Sequence, residues 1–86
     1  MNYHVYILRS YKDNGIYVGK TNDLNRRISE HNSGQVSSTK SRKLFILLES
    51  IVCKTEIEAL NLEKEYKKGY KREKIKRKYN LLRRGG

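Results

Sequence analysis

The first nineteen residues constrain the fold of this 86-residue chain more than any other stretch. Residues 3–9, YHVYILR, are β-branched, aromatic or aliphatic at most positions and carry apolar side chains on both faces of an extended backbone. Residues 16–19, IYVG, read as a second strand. Between the two stands SYKDNG, whose Asp, Asn and Gly tolerate the backbone angles of a tight reversal. Strands so close in sequence are expected to pair antiparallel. A turn centred near Lys12 and Asp13 would set Tyr6 and Tyr17 roughly opposite each other. As packing alone, that is a cross-strand aromatic pair worth under ~1 kcal/mol.

The pattern then becomes helical. Helix start signals fall at Thr21 or Asn22, with Asp23 in the first turn where the helix dipole favours an acid, and Asn32-Ser33-Gly34 stops the helix after His31. A polar loop, QVSSTKSRK, covers 35–43. LFILLESIV, 44–52, is a third strand, apolar enough to lie in the middle of a sheet. Thr55-x-x-Glu58 is a capping box opening a helix that runs to about Lys68, where Gly69 breaks it. Residues 70–82 form a last, basic helix, and 83–86 a disordered tail. The expected order is ββαβαα: one α/β domain over 1–82, a small three-stranded antiparallel sheet flanked by helices.

Only 36% of the chain is hydrophobic, so a polar residue on an apolar stripe needs an explanation. The inward face of the first helix is Leu24, Arg27, Ile28 and His31, two of them Arg and His; Arg26 falls on another face and reads as exposed. An unpaired guanidinium is costly to bury, so Arg27 either lies on a solvated edge or points into a polar cleft beside the sheet. On the second helix, Ala59, Leu62, Tyr66 and Tyr70 share a sector with Glu63 at its centre. A carboxylate there is either ion-paired, with Arg27 the obvious partner, or a metal ligand. Tyr11 reads as loop packing and Tyr79 as part of the basic tail.

The net charge of +11 implies a polyanionic partner. It is concentrated: residues 64–86 hold eleven Lys/Arg against two Asp/Glu. That segment has too few large apolar residues for an interfacial membrane helix, and no stretch is long and apolar enough to span a bilayer. The N-terminus lacks the pattern of a signal peptide, and the lone Cys53 fits a reducing, cytoplasmic setting.

Two tyrosines on a hairpin, Arg and His on one helix, Glu on another and a strongly basic chain together resemble the GIY-YIG nuclease superfamily. The resemblance covers nearly the whole chain. The first motif falls at Val5-Tyr6-Ile7 and the second at Tyr17-Val18-Gly19, so the literal Gly15-Ile16-Tyr17 is a decoy. YVGKTNDLNRRISEHNSG and TEIEALNLEKEYKK are similar to the small stand-alone bacterial members. The resemblance implies that Tyr17 activates or positions the attacking water and that Tyr6 supports it or contacts the phosphate. It implies that Arg27 stabilises phosphoryl charge, that His31 orients or carries a proton, and that Glu63 binds one divalent cation, Mg2+ or Mn2+. Lys20 follows the second motif, as in the nuclease domain of the excision-repair incision protein. Val5 replaces the usual glycine of the first motif and Lys43 the usual proline before the third strand; the basic tail offers only Asn80, and the family's terminal asparagine role is not carried over to it.

These roles suit phosphodiester hydrolysis, where a fixed arginine and a metal best stabilise developing charge in a water-poor cleft. A tyrosine, with an ordinary pKa of ~10, needs positive charge nearby to act as a base. The expected function is a metal-dependent DNA endonuclease in repair or recombination. Lys40, Arg42, Lys67, Lys68, Lys71 and Arg72 are candidate nucleic-acid contacts. The alternative is a non-catalytic nucleic-acid-binding module on the same fold; a small basic ribosome-associated protein would explain the charge but not Arg27 and Glu63. No element beyond the minimal domain reads sequence, so specificity would be weak, shape-based or directed by a protein partner. The charge itself disfavours close self-association without DNA.

Overall fold

Four consecutive residues, Val5, Tyr6, Ile7 and Leu8, are each at most 1% exposed. Burial of successive side chains requires cover on both faces of their strand. The computed structural model, which describes residues 2–36, 39 and 44–81, supplies it. Strand β1 (Tyr3–Ser10) is the centre of a three-stranded antiparallel sheet of order β2-β1-β3, with β2 (Ile16–Thr21) and β3 (Phe45–Cys53) on its edges. Helices α1 (Leu24–Asn32), α2 (Glu56–Tyr66) and α3 (Gly69–Lys78) complete the expected order ββαβαα. Lys40, Arg42 and the expected tail at 83–86 lie outside the described residues.

The helices divide between the two faces. Tyr6, Leu8 and Phe45 pack with Tyr17, Leu24 and Ile28 on the α1 side. Val5, Ile7, Ile16, Val18 and Cys53 pack with Ala59 of α2 and Ile75 of α3 on the other. The third strand was expected at the centre and instead lies at an edge. Its apolar run is broken by Glu49 and Ser50, and Leu47 and Val52 remain exposed, whereas β1 is apolar without interruption.

The hairpin register also differs from expectation. The turn centres on Lys12 and Asp13, but that centre pairs Tyr6 with Gly19 and Leu8 with Tyr17. The tyrosines are therefore diagonal neighbours on one face, not opposite each other. In the turn, Asn14 takes the left-handed conformation (φ 57°) and Asp13 Oδ1 accepts from the Gly15 N–H at 2.9 Å.

Helix α1 starts later than the sequence suggests. Asp23 is its N-cap, accepting from the Arg26 N–H at 3.2 Å, and Gly34 (φ 83°) reverses the chain beyond its end. The capping box of α2 is present, with Glu58 N–H to Thr55 Oγ1 at 3.1 Å and Thr55 N–H to Glu58 Oε1 at 3.2 Å. Helix α2 ends at Tyr66, shortly before the expected end near Lys68, and Gly69 is the first residue of α3 instead of the residue that stops α2. Tyr70 consequently leaves the α2 stripe; it is 57% exposed and donates to the Glu65 carboxylate.

Helix α3 is docked, not a solvated tail. Its Arg72 donates to the Ile16 carbonyl at 3.2 Å. The Tyr79 hydroxyl lies 3.2 Å from the Leu48 carbonyl and 2.7 Å from the Glu49 carboxylate, which Lys78 also meets at 2.6 Å. Burial alone would raise the Glu49 pKa, but hydrogen bonds from Lys78 and Tyr79 hold it below the ordinary value. Among the described residues no helix is long and apolar enough to cross a membrane.

Candidate active site

Tyr6 stands in the middle of the central strand, and its hydroxyl organises the α1 face. It lies 2.9 Å from His31 Nε2 on α1. Its strand partner is Gly19, and the glycine is required there. A Cβ at that position would stand 2.4 Å from the Tyr6 hydroxyl oxygen and 2.6 Å from Cζ, closer than real contacts allow. The tyrosine and the glycine of two separate motifs are thus one steric unit.

His31 is fully buried. Its ring meets those of Tyr6 and Phe45 edge-on at 5.7 and 5.9 Å between centroids, and that of Tyr17 at 4.9 Å. The Tyr6 and Tyr17 rings are 6.3 Å apart. The other ring nitrogen of His31, Nδ1, lies 2.8 Å from Thr39 Oγ1, itself buried and 3.4 Å from the Val36 carbonyl. Burial and then the neighbouring Arg27 push the His31 pKa below its ordinary value, so the ring is neutral at pH 7. Burial pushes the Tyr6 phenol up to about 12, against the pull of Arg27 and with a further rise from Tyr17 and Glu63.

Arg27 bridges the cluster to solvent. Its guanidinium donates to Glu30 Oε1 at 2.9 Å, which is the largest influence raising its pKa, and it lies near enough to Tyr6 to pull that phenol's pKa down. The polar-cleft alternative for Arg27 is the one observed. A cleft of about 290 Å³ beside it is lined by Lys20, Asn22, Arg26, Arg27, Glu30 and Glu56, among others. Lys20 belongs to that cleft and not to the tyrosine cluster: it pairs in register with Val5 and so faces α2, where it lies 3.5 Å from Glu56.

The expected Arg27–Glu63 pair does not form. Each residue is paired within its own helix, Arg27 with Glu30 and Glu63 with Lys67 at 3.3 Å, because a neighbour one turn away is reached without crossing the sheet. The Glu63 side chain is only 15% exposed, and its charge is felt at Tyr6. Among the described candidate nucleic-acid contacts, Lys67 is occupied by Glu63, Lys68 by Glu65, Lys71 by the Tyr66 ring and Arg72 by the Ile16 carbonyl.

Sequence reasoning missed Thr39, which sits in a loop without periodicity. One signal was available: a His on a buried stripe has two ring nitrogens, and a second partner must exist for each one that the first leaves open. The arrangement as a whole offers a fixed cation, an un-ionised phenol locked against a neutral imidazole, and a second, half-exposed tyrosine, all at the rim of a polar cleft. That is a set of groups able to hold and polarise a phosphodiester.

Residues 2–80 match the model of the family described as the GIY-YIG catalytic domain. The chain is 41% identical over 81 residues to UvrABC system protein C of Erwinia tasmaniensis, covering 88% of this chain but only 12% of that protein. It is 33% identical over 75 residues to the UPF0213 protein SH2523 of Staphylococcus haemolyticus, covering 86% of this chain and 90% of that one. The solution NMR structure of the UPF0213 protein BH0048 from Bacillus halodurans shares 37% identity and superposes with a TM-score of 0.56, over 87% of this chain and 82% of that one.

Proposed function

The chain belongs to the GIY-YIG family, similar along most of its length to the small UPF0213 members, and on that premise we propose that it is a metal-dependent endonuclease hydrolysing DNA phosphodiester bonds. The observation that carries this reading is the Tyr6 hydroxyl, hydrogen-bonded to His31 and under the charge of Arg27, with the Tyr17 ring tilted against His31. A service in DNA repair fits the likeness to UvrABC system protein C.

In this reading Arg27 binds the non-bridging oxygens of the scissile phosphate and stabilises the charge that develops on them. Tyr17, half-exposed at the end of the cluster, positions the attacking water and accepts its proton. Tyr6, with its pKa near 12, stays un-ionised and serves as a fixed hydrogen-bonding post. His31 orients that post. Glu63 is the residue that would hold a divalent cation, Mg2+ or Mn2+. Its carboxylate is largely sheltered, and its present partner Lys67 is 51% exposed and free to swing away. Among the described residues no three His, Cys, Asp or Glu side chains cluster. A lone carboxylate suits an ion that keeps most of its waters, as Mg2+ does. When bound, such an ion stabilises charge on the departing oxygen.

The test is incubation of the protein with plasmid, single-stranded and branched DNA, with Mg2+, Mn2+ or chelator, beside Glu63→Ala and Tyr17→Phe. Nicking that requires the metal, disappears in Glu63→Ala and falls sharply in Tyr17→Phe with binding intact is the expected result. Cleavage retained by Tyr17→Phe would remove that residue from the proton-transfer role. Equal binding without cleavage by any of the proteins would establish the second reading, a nucleic-acid-binding module. The exposed cations of α3, on the face away from Tyr6, support that reading.

A further inference from the structure

The hydrogen bonds around His31 have a direction that can be worked out from their ends. At one end, the Val36 carbonyl can only accept, so the single hydroxyl hydrogen of Thr39 is spent on it at 3.4 Å. Thr39 Oγ1 then has only lone pairs for His31 Nδ1, 2.8 Å away, so Nδ1 carries the ring proton. A neutral imidazole has one N–H, which leaves Nε2 as an acceptor. The Tyr6 hydroxyl must therefore donate to Nε2 across the 2.9 Å between them. At the other end stands the Arg27 guanidinium, which can only donate and whose charge acts on the same hydroxyl. It requires lone pairs on the Tyr6 oxygen, and those are what the chain of donors leaves there.

We propose that Thr39 is a positioning residue: it fixes His31 as the Nδ1–H tautomer and so turns the lone pairs of the Tyr6 hydroxyl, not its hydrogen, toward Arg27 and the reacting water. The opposite tautomer makes fewer of these bonds. With the proton on Nε2, Tyr6 would accept from His31 and aim its hydrogen at the Arg27 donors. Nδ1 would then claim the Thr39 hydrogen, leaving the Val36 carbonyl with the Thr39 backbone N–H alone, at 3.1 Å. The part concerning the reacting water rests on the nuclease reading; the tautomer and the hydroxyl direction do not.

Three of the participants are shielded from solvent. Tyr6, His31 and Thr39 are each at most 1% exposed, so water does not compete for these bonds. The rings of Phe45 and Tyr17 against His31 block its rotation. Gly19, having no Cβ, leaves the room that the Tyr6 hydroxyl occupies.

The test is a long-range proton–nitrogen correlation spectrum of the histidine rings at pH 7.5, with the His31 signals identified by their loss in His31→Gln. Wild type and Thr39→Ser are expected to carry the His31 proton on Nδ1. Thr39→Val is expected to move it wholly or partly to Nε2. Cleavage assays on the same proteins should show kcat reduced roughly ten- to hundred-fold in Thr39→Val with unchanged DNA affinity, and restored in Thr39→Ser. A wild-type ring protonated on Nε2 overturns the proposal. So does Thr39→Val with the wild-type tautomer, whatever its activity, and so does a shifted tautomer with full kcat. If Thr39→Val does not fold, Thr39→Ala removes the same hydroxyl without adding bulk. A wild-type protein with the Nδ1 proton but no cleavage overturns the nuclease reading, while the tautomer shift on losing the hydroxyl still upholds Thr39 as the residue that sets Tyr6.

Discussion

At the scale of single residues, the site is set by how little room Tyr6 has. Gly19→Ala places a methyl 2.4 Å from its hydroxyl oxygen and 2.6 Å from Cζ. The ring cannot retreat, because His31 holds the hydroxyl and the sheet closes around it. Overpacking of this kind costs about 2 kcal/mol. Denaturant titration should record that loss, with cleavage reduced further than stability alone explains. Tyr6→Phe in the same chain should relieve only the hydroxyl contact, leaving the pair less than additive but not restored. His31 adds a pH dependence. Its pKa is below 6.5 in the fold, through burial first and Arg27 second. As pH falls below 6.5, the unfolded chain takes up a proton that the folded ring refuses, so stability is lost through that window and is fully present above it. The slope should approach ~1.4 kcal/mol per pH unit at most, and comparison of denaturation midpoints at pH 7.5 and 5.0 should show a smaller drop for His31→Gln than for wild type.

At the scale of elements, one side chain ties α1 to β3. Asn32, the last residue of α1, accepts from the Phe45 N–H at 2.6 Å and donates to the Phe45 carbonyl at 3.3 Å. It acts as a one-residue extension of the sheet and places Phe45 against His31. Asn32→Ala leaves both backbone groups half-buried without their partner, at a cost of about 2 kcal/mol. A melting point lower by roughly 10 °C is expected, with Asn32→Asp between the two because it still accepts but cannot donate. The sequence expectation of Asn32 went no further than a helix stop, and the gap is informative. Local signals were legible: the hairpin turn, the capping box and the helix stripe carrying Arg27 and His31 all follow from neighbours in the chain. What was not legible depends on pairing across distance. The central place of β1 needed knowledge of which strand has both faces covered. The offset of Tyr6 from Tyr17 needed the register, where two residues of shift separate opposite from diagonal. The partners of Glu63 and Arg27 needed distances, and the sequence offered a long-range pair where each residue had a nearer one. Tyr79 was read only as part of the basic tail, because its neighbours in sequence are charged, while Ile75 and Tyr79 dock that segment on the sheet.

At the scale of the whole molecule, chemistry and charge occupy opposite faces of the sheet. The tyrosine cluster lies with α1, and the basic helix α3 lies on the reverse with α2. Much of the positive charge near α3 is already committed, with Lys68 to Glu65, Lys78 to Glu49 and Arg72 to the Ile16 carbonyl. Among the described residues of α3, Lys74, Lys76 and Arg77 are in no ion pair, and Lys74 and Arg77 are exposed. These cations, not the ones nearest Gly69, are the ones available to displace counterions from a nucleic-acid backbone. Each phosphate contact contributes about 0.9 to the slope of log affinity against log salt. Lys74→Ala with Arg77→Ala should therefore lower that slope by roughly two and weaken DNA binding alike for all sequences. The melting point should hold, because neither side chain is used by the core. Fluorescence anisotropy with labelled duplex between 50 and 200 mM salt, a range over which several phosphate contacts change affinity by orders of magnitude, reads the slope directly. An unchanged slope would mean that DNA is held around the cleft alone, by Arg26, Arg27 and Lys20, and that α3 is a docked brace whose charge serves no contact. A slope reduced by two would mean that a bound duplex reaches around an edge of the sheet, so that the face holding the polyanion and the face reacting with it are separable by mutation.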